Sequence, residues 1–384
     1  MKPVRIMFGA VGALFGVAML ASVSAQDASI GNRQDGKRLF EHETFGGNGR
    51  TCATCHTSET GTVSPEQAQR RLEANPADPL FLHDGSDDGQ GHGVTRMLKD
   101  ATVLVEIPLP PNVSLADDPT ARSVTLRRGI PSTINTPALD PVLMVDGRQA
   151  NLEDQAAGAI HDHAQALVMP RGTDLTRLKD FQLTDRFFSS PALRDFARGG
   201  AAPVLPQGTT ESERRGRRFF EDIPPNPANF PEGLKDGLCS ACHSGPLLNQ
   251  ANQFLQIVVP GARAGTRFQT VGVSELNALQ NTVRPFVFTN SDGSRTTVMS
   301  PDPGRALVTG VGPKDDPTFE HVNAFKISPL RGIRNTAPYF HDNSAKTLED
   351  VVRHYAQFFA FVSNGVIVLS DQDQADIVAF MKLL

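Results

Sequence analysis

Cys-x-x-Cys-His occurs twice in this 384-residue chain, at Cys52-Ala53-Thr54-Cys55-His56 and at Cys239-Ser240-Ala241-Cys242-His243. The two pentapeptides use all four cysteines. Such a pentapeptide reads as c-type haem attachment: two thiols add to the porphyrin vinyl groups and the adjacent histidine ligates the iron. Two intervening residues let both sulfurs reach one macrocycle edge while the imidazole tucks beneath it. A four-cysteine zinc site wants its knuckles within about twenty residues of each other, and here nearly half the chain separates them. A thioredoxin-like redox pair needs one motif near a βαβ unit, not two. Disulfides would leave the two histidines unexplained. Two covalent haems are therefore expected, one through Cys52, Cys55 and His56, the other through Cys239, Cys242 and His243.

Residues 1–25 have the pattern of a cleaved secretory leader. Lys2 and Arg5 give the positive start, Ile6 to Leu20 a mostly apolar stretch, and Val23-Ser24-Ala25 a small-residue cleavage site. The apolar stretch is short for a spanning helix and broken by Gly9, Gly12 and Gly16. Export agrees with haem c, so a periplasmic protein is expected. There are 37 Lys and Arg against 42 Asp and Glu. Losing Lys2 and Arg5 leaves 35 against 42, about −7, which argues against nucleic acid as a partner and suits a basic electron donor or ordinary solubility.

Three signals recur in register. Gly36-Lys37-Arg38-Leu39-Phe40-Glu41 and Gly216-Arg217-Arg218-Phe219-Phe220-Glu221 precede the two haem motifs. Arg128-Gly129-Ile130-Pro131 and Arg331-Gly332-Ile333-Arg334 follow them, each with an Asn-Thr at 135–136 or 335–336. Asp146 to Leu152-Glu153-Asp154 and Asp342 to Leu348-Glu349-Asp350 then open helices. This predicts a mainly α fold of two cytochrome c-like haem domains made by internal duplication, 26–204 and 205–384, with loop-rich insertions. A short β-hairpin is expected where Phe286–Thr289 and Arg295–Val298 flank Asn-Ser-Asp-Gly-Ser. Thr347 with Asp350, and Ser370 with Asp371 and Asp373, mark the starts of the last two helices. Residues 57–123 resist assignment.

The two motifs, the string Leu330-Arg331-Gly332-Ile333-Arg334-Asn335-Thr336-Ala337-Pro338-Tyr339-Phe340-His341-Asp342, and Asp146-Gly147-Arg148 with Gln155 resemble the bacterial dihaem cytochrome c peroxidase and MauG family. The resemblance implies a reactive N-terminal haem at His56 and a six-coordinate relay haem at His243. The family's sixth ligand to the second haem maps to Tyr355, which also falls on the inward helical face; a core tyrosine is the alternative. A phenolate ligand lowers the potential relative to methionine. The internal repeat pairs Tyr355 with Ala159, which cannot bind iron, so the first haem is expected to keep an exchangeable face.

Further assignments follow from the same resemblance. His92 matches the family's removable distal histidine, although it lies farther from its haem motif, and His83 is a rival. Gln165 stands for the catalytic glutamate, and a neutral amide cannot relay a proton as a carboxylate does. Gln155, Ala159 and His163 share a face if their helix runs unbroken, which offers His163 as a replacement proton shuttle; a solvated helix end is the alternative. Val145 takes the place of the inter-haem tryptophan. Gly129 replaces the asparagine that helps hold an inter-domain calcium, while Thr336 and Pro338 keep its carbonyl positions. Arg128 and Arg331, at equivalent repeat positions, are expected to neutralise haem propionates, surface arginine being the alternative. The resemblance implies reduction of hydrogen peroxide with electrons from a small periplasmic cytochrome c or cupredoxin, and leaves room for a homodimer. Two other activities stay open: a MauG-like oxidase acting on a protein or organic substrate, and a non-catalytic dihaem electron carrier.

Overall fold

The computed structural model describes residues 34–135, 140–276 and 281–384. The expected leader over 1–25 and Thr136 of the first Asn-Thr pair lie outside them. The fold is mainly α with small sheets.

Each half opens with a helix that crosses that half's last long helix at a glycine. A Cβ on Gly36 would stand 2.1 Å from the Arg177 carbonyl oxygen, and one on Gly216 would stand 1.9 Å from that of Asp376. The helix over 34–42 thereby meets Gly172–Thr184, and Glu211–Arg217 meets Asp371–Met381. No larger residue lets the two backbones approach so closely, which is why glycine heads both recurring strings.

The duplication is also written into the backbone. Leu143 bridges Gln149 and Tyr339 bridges Ala345, and the next residues, Met144 and Phe340, share a left-handed φ of 65° and 69°. Helices Leu152–Asp162 and Leu348–Val362 follow. Asn151 caps the first by accepting from the Asp154 N–H at 2.8 Å. Thr347 caps the second from Asp350 at 3.1 Å, while the Asp350 carboxylate accepts from the Thr347 N–H at 3.0 Å. The capping side chains thus satisfy orphan donors of the first turn. Ser370 and Asp373 start the last helix in the same way. Its Ile377, Val378 and Met381 are buried with Leu348, Val351 and Val352 of the neighbouring helix. Among the described residues no helix is long and apolar enough to cross a membrane.

The stretch over 57–123 meets the expected hairpin of the second half. Strands β1 (Thr102–Pro108) and β3 (Ser123–Gly129) form an antiparallel hairpin, while β2 (Val113–Leu115) leaves the first half to pair with the second. β2 lines up antiparallel with β5 (Arg284–Thr289), which pairs with β6 (Arg295–Ser300) as the expected hairpin, Thr289 opposite Arg295. β4 (Phe268–Gln269) and β7 (Phe325–Lys326) make a small separate pair. Phe286, Phe288, Ala306 and Leu307 share one apolar core with Val63, Leu80, Met97, Val105 and Leu126. Burying those side chains stabilises by roughly 1.5–3 kcal/mol each, so neither insertion has its core without the other.

Candidate haem sites

Each haem motif folds so that its histidine is held from behind. His56 Nδ1 lies 2.9 Å from the Gly61 carbonyl oxygen, and His243 Nδ1 lies 2.9 Å from that of Leu248. A carbonyl there fixes the tautomer with the proton on Nδ1, and the His243 ring also bonds the Ser328 backbone. Burial lowers the pKa of both imidazoles, favouring the neutral ring that ligates. Burial also pushes the Cys52, Cys239 and Cys242 thiols up to about 12, and raises Cys55. None of the four is in a disulfide.

Two cavities, of about 880 and 3580 Å³ and open to solvent, lie over these histidines. The first is walled by Cys55, His56, Arg50, Gln155, Ala159 and His163. The second is walled by Cys239, Cys242, His243, Tyr355, Phe359 and Met381. The residues fit two haems: the first cavity pairs Cys55 with His56, and the second pairs Cys239 and Cys242 with His243. Gly129, Ile130, Pro131, Ser132, Met144 and Val145 line both cavities, so Val145 stands in the partition.

The helix Leu152–Asp162 carries the expected trio. Gln155, Ala159 and His163 all face the first cavity, His163 at the C-cap. His163 Nδ1 hydrogen-bonds Asp84, a buried carboxylate that also pairs with Arg50. Burial pushes Asp84 up, but His163 and Arg50 outweigh it and hold the carboxyl below its ordinary range. Asp84 and Arg50 are the residues that sequence reasoning missed. Nothing local marks them, because Asp84 lies 79 residues from His163 and 34 from Arg50.

Tyr355 faces the second cavity at the position where Ala159 faces the first. Burial, then Cys242 and Cys239, push its phenol up; a cation at the iron position would reverse that. Its neighbour His354 is buried, 6% exposed, with Nε2 2.8 Å from the Val271 carbonyl oxygen.

Four assignments change. His92 is on the surface, its side chain 82% exposed and its Nδ1 2.7 Å from Asp88, outside both cavities. A four-residue loop contact holds it, so it does not serve as a distal ligand. Gln165 is also exposed and outside the cavity: the chain reverses there with φ 51°, and its side chain accepts from Asn48 Nδ2 at 3.1 Å. Arg128 lines the first cavity but is 1% exposed, and its fork is committed. Nε and Nη2 donate to Asp302 at 2.8 and 2.9 Å, and Nη1 donates to Asp146. Burial lowers its pKa, but the two carboxylates more than restore it, so this guanidinium joins the halves instead of serving a propionate. Arg331 donates to backbone carbonyls of Pro246, Pro203 and Val204. It lines the second cavity with its donors turned to the chain.

The calcium pattern does not fit. A Cβ on Gly129 would lie 2.1 Å from Asn343 Oδ1, so the space of the family's asparagine is filled. Asn343 spends its amide on the Asp100 and Ala101 carbonyls, each at 3.0 Å.

The family model of di-haem cytochrome c peroxidases matches residues 33–189. Over those residues, less than half of its length, the chain is similar to that family. No curated protein matches the chain. Similar solved structures include a MauG-like protein associated with microbial copper homeostasis, 19% identical, covering 91% of this chain and 87% of that one at a TM-score of 0.48. The diheme peroxidase BthA of Burkholderia thailandensis is 16% identical over 91% of this chain and 84% of its own, with a TM-score of 0.47. Hydrazine synthase of Kuenenia stuttgartiensis is 15% identical over 84% and 93%, with a TM-score of 0.39.

Proposed function

We propose that this chain is an exported periplasmic protein with two covalent c-type haems that reduces hydrogen peroxide at the His56 site. Electrons enter through the His243 and Tyr355 site from a small redox protein such as a cytochrome c or cupredoxin. The observation that carries the reading is the difference between the two cavities. Tyr355 offers a ligand to the second, whereas Ala159 leaves the equivalent place in the first open and Gln155 and His163 supply polar groups beside it.

Haem, when bound, supplies the two-electron chemistry. The chain's own residues handle binding and protons. His56 Nε2 would hold the haem iron, its ring fixed by the Gly61 carbonyl. Gln155 Nε2 donates a hydrogen bond to peroxide. His163 Nε2, the nitrogen not held by Asp84, removes a proton from the attacking oxygen and returns it to the oxygen that leaves as water. Two electrons and two further protons complete the conversion of hydrogen peroxide to two waters. Gln165, being at the surface, has no part in this.

Adding peroxide to the purified protein, oxidised or reduced beforehand, while following both haems by optical and EPR spectroscopy tests the reading. A His56 haem that is high-spin or peroxide-reactive, with turnover of a reduced small cytochrome, is expected. Absence of any peroxide response would sink it. Tyr355 also suits a MauG-like oxidase, and bis-haem oxidation without cytochrome turnover would select that alternative.

A further inference from the structure

We propose that Asp84, braced by Arg50, is the positioning residue for His163: it holds the ring by Nδ1 and leaves Nε2 as the proton-exchanging atom facing the His56 cavity. The inference rests on the proton role of His163 in the proposed function.

Asp84 is 4% exposed and does not line the cavity, so it reaches peroxide only through His163. One carboxylate oxygen accepts from Arg50 and the other bonds the His163 ring. Arg50 is itself immobile. Its Nε donates to the Pro79 carbonyl at 2.8 Å, Nη2 to those of Leu80 (3.0 Å) and Leu82, and Nη1 to that of His163 at 3.1 Å. The loop can wrap this tightly because residue 85 is glycine. A Cβ there would meet the Leu80 oxygen at 1.9 Å and Arg50 Nη2 at 2.6 Å. An anchor for the loop alone needs only the Arg50–Asp84 pair; the second oxygen aimed at a cavity-lining ring is what a positioning role adds.

The chemistry follows from hydrogen-bond direction. A carboxylate accepts only, so His163 Nδ1 carries the proton and Nε2 the lone pair. When Nε2 takes a proton, the ring becomes a cation beside Asp84, which stabilises it until the proton is returned. The charged and titratable groups around the ring are Asp84 and Arg50 behind it, with Arg128, Arg148, Cys55 and His56 in the cavity wall. Among the described residues no carboxylate is in that wall to take over the proton.

Cyanide binding to the His56 haem isolates this step, since hydrogen cyanide must give up its proton to bind as the anion. On the holoprotein, association would be followed optically from about pH 5 to 9 for wild type, D84N, H163A and the double variant. D84N should slow association roughly 10- to 100-fold, the range typical of a lost supporting hydrogen bond, and shift the pH profile to lower pH. H163A should slow it similarly, and adding D84N to H163A should change nothing more. Wild-type rates in H163A would overturn the proton role of His163 and with it the proposed mechanism. A slow H163A with a normal D84N, additive losses, or an unshifted D84N profile would overturn the positioning role alone. Should D84N not accumulate as holoprotein, nitrogen NMR of wild type decides. A His163 ring protonated at Nδ1 and bare at Nε2 is expected, and the opposite tautomer refutes the proposal.

Discussion

Replacing Arg128 by methionine tests whether one buried guanidinium holds the two halves together. The substitution keeps an unbranched chain and removes three charge-assisted hydrogen bonds, two to Asp302 and one to Asp146. Bonds to charged groups contribute about 1.5–3 kcal/mol each, and the apolar side chain returns about 1.5–3 kcal/mol by burial. Asp302 keeps the Gly304 N–H at 2.9 Å and His341 at 3.9 Å; Asp146 keeps Arg148 at 2.9 Å. The net loss should be about 3–5 kcal/mol, the usual consequence of breaking one side of a buried pair. Urea unfolding at neutral pH reads it as a lower midpoint with an unchanged slope. The pH dependence supplies a second check. Burial pushes Asp146 up, but Arg128 and Arg148 hold it below the ordinary carboxylate range. A depressed folded pKa gives stability that is full above the unfolded pKa and is lost as pH falls through the folded one. Without Arg128 less of that stability exists, so the gap between wild type and variant should narrow below about pH 4. A loss under about 1 kcal/mol, or a gap that widens with acid, would refute the account.

The helix crossings predict that Gly216→Ala and Gly36→Ala each cost about 1–3 kcal/mol by overpacking despite a helix-propensity gain of up to about 1 kcal/mol; unchanged thermal midpoints would contradict the crossings. Tyr355→Phe should alter the low-spin spectrum of the second haem and leave the first as it was, and an unchanged spectrum would remove Tyr355 as ligand. Cys239→Ala should leave one thioether fewer at that site, visible by mass spectrometry of the exported protein, with His56 haem content unaffected. Asp84, depressed by His163 and Arg50 against its burial, contributes stability above the ordinary carboxylate range that is lost on acidification. D84N should therefore show a shallower decline of stability below about pH 4 than wild type.

What could be read in the chain was what is local. Thr347 with Asp350 and Ser370 with Asp373 are three residues apart, and both cap as expected. The face shared by Gln155, Ala159 and His163 needed only helical period. Arg128 misled because its partner, Asp302, is 174 residues away, and equivalence to Arg331 in the repeat says nothing about what surrounds either. Gln165 misled because a family offset counts residues, whereas a left-handed turn decides where the side chain points. β2 was unreadable for a like reason: three residues become a strand only because β5 lies beside them.

The chain holds no tryptophan and two tyrosines, Tyr339 and Tyr355, both lining the second cavity. A strong oxidant formed over His56 would therefore find no phenol or indole in its own wall to burn. Of the side chains in the partition, only the Met144 thioether is readily oxidised. Under the proposed function, sulfoxide at that one residue would be the scar of an oxidant left without a donor.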